Sequence, residues 1–194
     1  MISQEVLSLL RKESEFFYSP IHGVKHWQTV ERNAHYLASF NNADTQVLSY
    51  FAHFHDCMRE NEGRDKGHGS RGALFAKKHR NLIPLNDVQF KQLTDACKGH
   101  TYGERPECIT INTCWDADRL DLPRVGIMPK AEYLYNEEAK RIADESDLLM
   151  LDGQEVMTKF GQSNEIPSKY ENLKFDIKST SDAGLFNQIT SIFR

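Results

Sequence analysis

The residues most able to do chemistry in this chain are its histidines, which are unevenly distributed. Five of the eight histidines fall within residues 22–55. Two more, His68 and His100, stand where loops meet predicted helices. His55 is followed directly by Asp56, at the point where a predicted helix runs out of apolar residues. Both of these side chains can therefore project from a helix end into a cleft.

A second group of polar side chains is the acidic cluster of residues 115–121, which reads Trp-Asp-Ala-Asp-Arg-Leu-Asp. Neutral imidazoles combined with carboxylates suit Mn, Fe, Co, Ni or Zn, and Mg fits where carboxylates and waters dominate. Helical bundles build interior metal sites from ligands scattered over separate helices. The residue types therefore predict a divalent metal site, although each piece alone is a weak signal.

The elements that must position these residues follow a helical period along most of the chain. Apolar residues recur at helical spacing over 3–17, 23–40, 69–80 and 86–98. Another helix is predicted to begin after Asp44, whose carboxylate is a good N-cap. Pro84 separates the two helices on either side of it. These segments favour a helical protein.

The segment from Cys108 to Leu122 is predicted to be helical as well, although it contains a β-branched run over Ile109–Thr113. One such run among so many helical segments does not predict a sheet. Pro123 is expected to end or kink this helix. We therefore predict an all-α fold, a single-domain helical bundle.

The helical signal weakens after about residue 145. Residues 160–182 are polar and rich in Ser, Lys and Asn, and a last short helix is predicted over 183–193. We expect residues 1–145 to form the helical domain. Residues 146–194 are then a C-terminal extension, packed on that domain or trailing from it.

Composition excludes several classes of function. The chain has 194 residues with 24 Lys and Arg against 28 Asp and Glu, a formal charge of -4. This charge argues against binding of duplex nucleic acid, which draws on a clustered basic face. No apolar stretch approaches the roughly 20 residues of a membrane span, and the N-terminus does not read as a signal peptide.

The four cysteines contain no Cys-x-x-Cys pair and are sparse for this length. Free thiols in a reducing compartment are therefore favoured over a disulfide framework. We expect a cytoplasmic protein that has no membrane partner. The sequence leaves open whether the chain forms a homodimer.

The order of these residues along the chain resembles the HD-domain superfamily of metal-dependent phosphohydrolases. That family has the pattern H…HD…D on a helical fold, and the match covers residues 20–125. The segment HGVKHWQTV looks like the helix of the first ligand, FAHFHDCMRE like the HD helix, and WDADRLD like the helix with the final Asp. The resemblance implies a helical bundle of the HD-domain type.

By this resemblance, the metal ligands are His26, His55, Asp56 and Asp118. Asp118 is preferred to Asp116 because residues 117–120 match the closing motif Ala-Asp-Arg-Leu of the family. Asp116 is then a supporting partner in the site, or the ligand itself if the alignment is shifted. His26 is preferred to His22 because it stands four residues before the Val of the family's H-x-x-x-V pattern, and His22 is expected near the mouth of the pocket.

The resemblance leaves the roles of His68 and His100 open. His68 resembles the additional histidine that many members place near the leaving group, as a general acid or a phosphate donor. Family members with two metals show the pattern H…HD…H…H…D, in which His68 and His100 would both bind the second ion. The cofactor is therefore a divalent metal ion, with one or two ions per site.

Arg59 marks a departure from the family. Some nucleotidase members carry a catalytic Glu three residues after the HD Asp, where this chain has Arg59, with Glu60 one residue later. Arg59 is instead expected to contact phosphate. Further candidate phosphate contacts are Arg71, Lys98 and Arg119.

Two features of the chain have alternative interpretations. Residues 67–72 match G-x-G-x-x-G, but a charged loop precedes them where the dinucleotide fingerprint requires a hydrophobic strand. We therefore reject a dinucleotide site. Asp121 has an equally good structural interpretation, as a helix cap or as the ion-pair partner of Arg119 or Arg124.

The resemblance implies a metal-dependent phosphohydrolase that uses a metal-activated water. Its substrate would be a phosphate ester or anhydride of a nucleotide or another small phosphorylated metabolite. One alternative is a di-iron oxygenase, because some two-metal HD proteins share the ligand pattern. Another is a non-catalytic HD domain that senses a nucleotide or a metal.

Overall fold

Seven α-helices make up the fold, and the computed structural model describes residues 2–145. In chain order they are α1 (Gln4–Glu13), α2 (Val24–Ala38), α3 (Thr45–Phe54), α4 (His68–Lys78), α5 (Asp87–Gly99), α6 (Ile109–Arg119) and α7 (Glu137–Asp144). Short 3₁₀ turns cover Arg80–Leu82, Leu122–Val125 and Ala131–Tyr133. No strand occurs in this described part, so the predicted all-α class is confirmed. The domain boundary after residue 145 and the helix predicted over 183–193 lie outside it.

Side-chain caps fix where the central helices begin. The Asp44 carboxylate accepts hydrogen bonds from the backbone N–H groups of Gln46 and Val47, at 2.9 and 3.2 Å. The predicted N-cap of α3 is therefore confirmed. α5 begins with a capping box, in which Asn86 and Gln89 each bond the other's backbone N–H.

The β-branched run Ile109–Thr113 forms the first turns of α6, as predicted. Some of its side chains pack in the core, and others make hydrogen bonds within the helix. Ile111 and Cys114 are buried in the core, and Thr113 donates its hydroxyl to the Ile109 carbonyl at 2.9 Å. Burial of this helix thus outweighs the weak helix propensity of β-branched residues.

The core lies between α2, α3, α5 and α6. α2 packs on both α3 and α6, α3 contacts α5, and α4 packs along α5. Its largest fully buried side chains are Trp27, Phe51, Phe54, Leu10, Leu37, Leu48, Ile83 and Leu93. Because α2 lies between α3 and α6, the first turn of α2 comes close to the ends of the other two helices.

Two glycines allow α4 to approach its neighbours closely. A Cβ atom at Gly69 would lie 2.1 Å from the Cys97 carbonyl oxygen on α5. A Cβ atom at Gly72 would lie 2.2 Å from the Phe54 carbonyl oxygen on α3. These residues of the Gly-rich segment therefore serve helix packing, and they bring the start of α4 to the ends of α3 and α5.

All four cysteines are free thiols, as predicted. Among residues 2–145, no helix has both the length and the apolar character that crossing a bilayer would need.

Candidate metal centre

Six polar side chains from five helices meet inside the bundle. They are His26 in the first turn of α2, His55 and Asp56 directly after α3, His68 at the start of α4, His100 directly after α5, and Asp118 in the last turn of α6. Each residue stands at or next to a helix end, so six side chains from separate segments can converge. All except Asp118 are buried.

The first group consists of His26, His55 and Asp118. The Nε2 atoms of His26 and His55 face each other at 3.1 Å. The Asp118 Oδ1 atom lies 3.3 Å from the first nitrogen and 3.7 Å from the second. Three potential ligand atoms therefore surround one small volume.

The second group consists of His68, His100 and Asp56. The two Nε2 atoms are 2.7 Å apart, and the Asp56 Oδ1 atom lies 3.2 Å from that of His68 and 3.7 Å from that of His100. Thr101 adds a hydroxyl 3.3 Å from the His68 Nε2 atom. This group has the same composition as the first, two imidazoles and one carboxylate.

Asp56 connects the two groups. Its Oδ2 atom lies 3.7 Å from the Nε2 atom of His26 and 3.6 Å from that of His55, while its Oδ1 atom faces the second group. One carboxylate with an oxygen toward each pair of imidazoles is an arrangement that can bridge two cations.

The two histidines that follow helices are oriented by the carbonyls of the helices that precede them. The Nδ1 atom of His55 lies 3.2 and 3.0 Å from the Phe51 and Ala52 carbonyl oxygens. The Nδ1 atom of His100 lies 2.7 Å from the Cys97 carbonyl oxygen. Since a carbonyl oxygen only accepts, each Nδ1 carries a proton, and in the neutral ring each Nε2 presents a lone pair.

The other two histidines are oriented in the same way by different partners. His26 Nδ1 lies 2.7 Å from the Asp121 carboxylate, and His68 Nδ1 bonds the Asp65 carbonyl. A metal-binding histidine commonly donates its outer N–H to such a carboxylate or carbonyl. Sequence analysis missed this role of Asp121. The position of Asp121 three residues after Asp118 could have indicated that both carboxylates lie near His26.

This donor set fits a metal. In each pair, two Nε2 atoms face each other across 3.1 Å or less, and two neutral imidazoles would direct their lone pairs at each other there. Such an arrangement is repulsive unless a cation lies between the nitrogens. Imidazole nitrogens with carboxylate oxygens suit Mn, Fe, Co, Ni or Zn.

The pKa values of the first pair show its demand for positive charge. Burial lowers the pKa of His55 to about 3. Burial also opposes protonation of His26, yet hydrogen bonds with Asp118 and Asp121 leave the pKa of His26 raised. One imidazole of this pair therefore favours the charged form and the other remains neutral.

The second pair behaves alike. Burial lowers the pKa of His68 to about 4. It also opposes the charge on His100, but the hydrogen bond with Asp56 leaves the pKa of His100 raised. In this pair, too, one imidazole favours the charged form and the other favours the neutral form.

The two carboxylates are held in the ionised form that binds metals. Burial opposes ionisation of Asp56, but the neighbouring His55 and His100 keep its pKa well below the usual range. Partial burial also opposes ionisation of Asp118, but the hydrogen bond from His26 lowers the pKa of this carboxyl group.

Arg59 supports Asp56. Its Nη1 atom donates to the Asp56 Oδ1 atom at 3.2 Å, its Nε atom to the Asn61 carbonyl at 3.2 Å, and its Nη2 atom to the Gly63 carbonyl at 2.7 Å. The guanidinium therefore holds the loop after α3 against the HD aspartate. Arg59 also lines the cavity described below, where it was expected to contact phosphate. All three of its guanidinium nitrogens, however, already donate hydrogen bonds to the protein.

Asp116 belongs to neither group of potential ligands. Its fully buried carboxylate accepts hydrogen bonds from the backbone N–H groups of Tyr135 and Asn136 and from the Asn136 side chain, at 2.7 to 3.1 Å. Asp118, and not Asp116, lies with His26 and His55 in the first group of potential ligands. Tyr135 and Asn136 were missed by sequence analysis, because nothing local links them to α6.

A cavity of about 590 Å³ opens over the metal-ligand candidates. Asp56, His68, His100 and Asp118 lie in its lining, and His22 lines it as well. The remaining wall comes mostly from residues 122–135. It is largely apolar and aromatic, with Met128, Tyr133 and Tyr135 among its members, and also includes the charged residues Arg124, Lys130 and Glu132. Arg119 lines the cavity, whereas Arg71 and Lys98 do not. A volume of this size accommodates a small organic ligand.

Comparisons with known proteins were made by family, by sequence and by structure. No protein-family model matches the chain, and no curated protein matches it. Among solved structures, the chain is similar to the crystal structure of a predicted HD superfamily hydrolase from an uncultured Thermotogales bacterium. The identity is 24%, the TM-score is 0.61, and the match covers 81% of this chain and 92% of the other.

This likeness concerns the fold, and the helical architecture expected from the H…HD…D resemblance agrees with it. The two groups of His and Asp residues also fit the HD motif. The chain therefore shares its fold with this solved structure, which is described as a predicted HD superfamily hydrolase.

Proposed function

We propose that the protein is a metal-dependent phosphohydrolase. It cleaves a phosphate ester or anhydride of a nucleotide or another small phosphorylated metabolite. The observation that carries this proposal is the pair of facing-imidazole groups joined by Asp56 at one wall of a cavity. The named solved relative is itself described as a predicted hydrolase, which agrees with the proposal.

The proposal assigns a ligand role to six residues. His26, His55 and Asp118 would hold one divalent ion, and His68 and His100 would hold a second, with Asp56 between the two. We favour this role for His68 and His100 over that of a general acid because their Nε2 atoms face each other at 2.7 Å. A proton donor to substrate would instead direct its nitrogen to the cavity.

Divalent ions at such a centre lower the pKa of bound water and stabilise the charge that develops on phosphorus during hydrolysis. The chain's own residues do the rest. The Nδ1 bonds of the four histidines fix the imidazole orientation, and Arg59 fixes Asp56. A centre held in this way needs little rearrangement when substrate binds.

The cavity wall indicates the kind of substrate. Tyr102 and Tyr133 are both more than half exposed while lining the cavity, so their rings are available to a ligand. Aromatic and apolar side chains favour a substrate that has a planar or apolar part beside its phosphate. This favours a nucleotide over a sugar phosphate. A formal charge of -4 again disfavours duplex nucleic acid.

The second candidate is a di-iron oxygenase, and the same geometry favours it. Four imidazoles and two carboxylates in two symmetric groups are also a suitable ligand set for two iron ions. Iron in the purified protein with oxygen-dependent turnover would support this candidate. Phosphate release under anaerobic conditions would exclude it.

Elemental analysis of the purified protein tests the main proposal first, with about two divalent ions per chain as the expected result. A phosphate-release screen follows, using nucleoside mono-, di- and triphosphates and sugar phosphates with several divalent ions. Turnover should be lost in His55→Ala and retained in His79→Ala, since His79 belongs to neither ligand group. A protein with neither bound metal nor metal-stimulated turnover would overturn the proposal.

A further inference from the structure

The three arginines that line the cavity differ in how many of their guanidinium nitrogens already donate hydrogen bonds to the protein. Arg59 uses all three of its nitrogens in hydrogen bonds, as described above. Arg124 donates from Nε to the Ile21 carbonyl and from Nη1 to the Asp121 carbonyl, each at 2.9 Å. Both arginines therefore hold protein segments together and have few donors left.

Arg119 is the exception. Within the described part of the chain its guanidinium makes no hydrogen bond, and its Nη1 atom is buried without a partner at hydrogen-bond distance. Nη1 forms only a long ion pair with the Asp116 Oδ1 atom, at 3.8 Å, and that oxygen already accepts a hydrogen bond from the Tyr135 backbone N–H. An unbonded buried guanidinium donor is costly unless a ligand satisfies it.

Aromatic rings hold Arg119 in place without occupying its N–H groups. The guanidinium carbon lies 5.1 Å from the ring centroid of Tyr135 and 5.8 Å from that of Trp115. Asp116 fixes the Tyr135 backbone at 2.9 Å. A guanidinium stacked in this way keeps its planar fork of donors for an anion.

The position of Arg119 relates this fork to the candidate metal centre. It follows Asp118 directly in α6, and both residues line the same cavity. The side chain is about 20% exposed, so a ligand in the cavity can reach it. Arginine forks match the geometry of phosphate oxygens and bind them through paired hydrogen bonds.

We propose that Arg119 is the residue that binds a phosphate group of the substrate. This inference rests on the proposed function, because it places a phosphorylated ligand in the cavity. The Tyr135 ring and the Asp116 carboxylate are positioning groups for Arg119. The recognised chemistry is a phosphoryl group next to the metal-ligand residues, on the wall formed by the end of α6.

The test compares two arginines that contact the same ring. Arg105 also lies 5.1 Å from the Tyr135 centroid, but it is exposed and is not part of the cavity lining. Arg105→Gln is therefore the matched control for Arg119→Gln. The probe is inorganic phosphate, and its dissociation constant is measured by calorimetry on the full chain as purified.

Arg119→Gln should weaken phosphate binding about 10- to 100-fold, the effect of a lost charge-assisted hydrogen bond, and Arg105→Gln by less than about twofold. In turnover, Arg119→Gln should raise KM for the phosphorylated substrate by a similar factor with kcat little changed, which is the mark of binding in both ground and transition states. If Arg119→Gln does not fold, Arg119→Lys replaces it, since it keeps the stem and the charge but not the fork. The lysine variant should lose part of the affinity.

Equal affinities of wild type and Arg119→Gln, or equal losses in the two glutamine variants, would overturn the inference. Phosphate binding is measured apart from turnover, so the two proposals fail in different ways. If the protein has neither metal nor turnover, but Arg119→Gln still weakens phosphate binding, only the phosphohydrolase proposal is refuted. Normal turnover and normal phosphate affinity in Arg119→Gln would refute only the role of Arg119.

Discussion

Two aspartates of α6, only two residues apart, meet opposite surroundings. Asp118 faces the imidazoles of His26 and His55 at 3.3 and 3.7 Å, on the side of α6 that we call the imidazole side. Asp116 faces the backbone of residues 135–136, on what we call the anchor side. Two residues correspond to a rotation of about 200° around a helix, so the two carboxylates point in nearly opposite directions.

The pKa values follow the partners. Burial raises the pKa of Asp116, and the amide donors of Asn136 and Tyr135 only partly offset this. Partial burial also opposes ionisation of Asp118, but the imidazoles beside it lower its pKa. A buried carboxylate thus becomes a strong anion where it meets groups that can carry positive charge. Where it meets neutral amides, it holds neighbouring backbone segments in place. Replacement by asparagine should therefore have different consequences at Asp118 and at Asp116.

The largest effect is expected for Asp118→Asn, on the imidazole side. The amide keeps the shape of the side chain but removes the negative charge that a divalent ion requires. Turnover should fall by more than about 100-fold, since even loss of an outer partner of a metal ligand costs 10- to 100-fold. Elemental analysis and phosphate release measure the effect. Asp95→Asn, at a partly exposed aspartate of α5 that belongs to neither ligand group, should change neither.

Asp116→Asn should act on stability. The variant directs an NH₂ group toward backbone N–H donors, and loss of buried hydrogen bonds to a carboxylate should lower the free energy of unfolding by about 3 kcal/mol. Urea denaturation measures this loss. Metal content should stay at the wild-type value in the folded variant. A folded Asp116→Asn protein that lacks metal would show that the anchor side and the imidazole side are not separate.

Asp121→Asn sharpens the comparison because Asp121 supports the imidazole side without belonging to it. Its carboxylate orients His26 through the Nδ1 atom, at 2.7 Å. The amide should weaken metal affinity by about 10-fold, at the lower end for outer partners, because it can still accept the bond through its oxygen. Metal titration of protein treated with a chelator measures the change. Affinity equal to that of wild type would mean that Asp121 has no part in the metal centre.

The smallest effect concerns a contact just beyond the residues that Asp116 anchors, in which Tyr36 of α2 donates to Glu138 of α7 at 2.6 Å. Burial and this bond raise the pKa of Tyr36 to about 12. Because the folded state favours the neutral phenol, this stabilisation is present below pH 10 and is lost as the pH rises from 10 to 12. Tyr36→Phe should cost about 1 kcal/mol at pH 7.

Urea denaturation of wild type and Tyr36→Phe at pH 8 to 12 tests this prediction. The difference between the two proteins should shrink as the pH passes through 10 to 12. Other tyrosines titrate in both proteins and drop out of the comparison. A difference that stays constant up to pH 12 would contradict the role of the phenol proton.

Much of the fold was predictable because it depends on local patterns. Apolar periodicity located α1 to α6 within a few residues, and Asp44 is a cap whose chemistry is readable from sequence. α7 was not predicted, because a helix of 8 residues gives only a short periodic signal. Its apolar face is made by only a few buried residues, Ala139, Ile142 and Ala143.

The candidate site was partly predictable. Residues such as His55 and Asp56 could be selected because their order along the chain resembles the H…HD…D pattern, since each residue alone is a weak signal. The supporting groups do not stand out in this way. Asp121, Tyr135 and Asn136 have ordinary residue types, and their roles arise only from contacts between residues 19 to 95 positions apart in the chain.

By itself the sequence determined the helices and the types of ligand, because helical periodicity and side-chain chemistry are local properties. Only the tertiary structure decided how these ligands are grouped. It divided four histidines into two facing pairs with Asp56 between them, and it turned Asp116 away from Asp118. It also left Arg119 without a hydrogen-bond partner among residues 2–145. These outcomes depend on the angles at which separate helices pack, and no short stretch of sequence encodes such an angle.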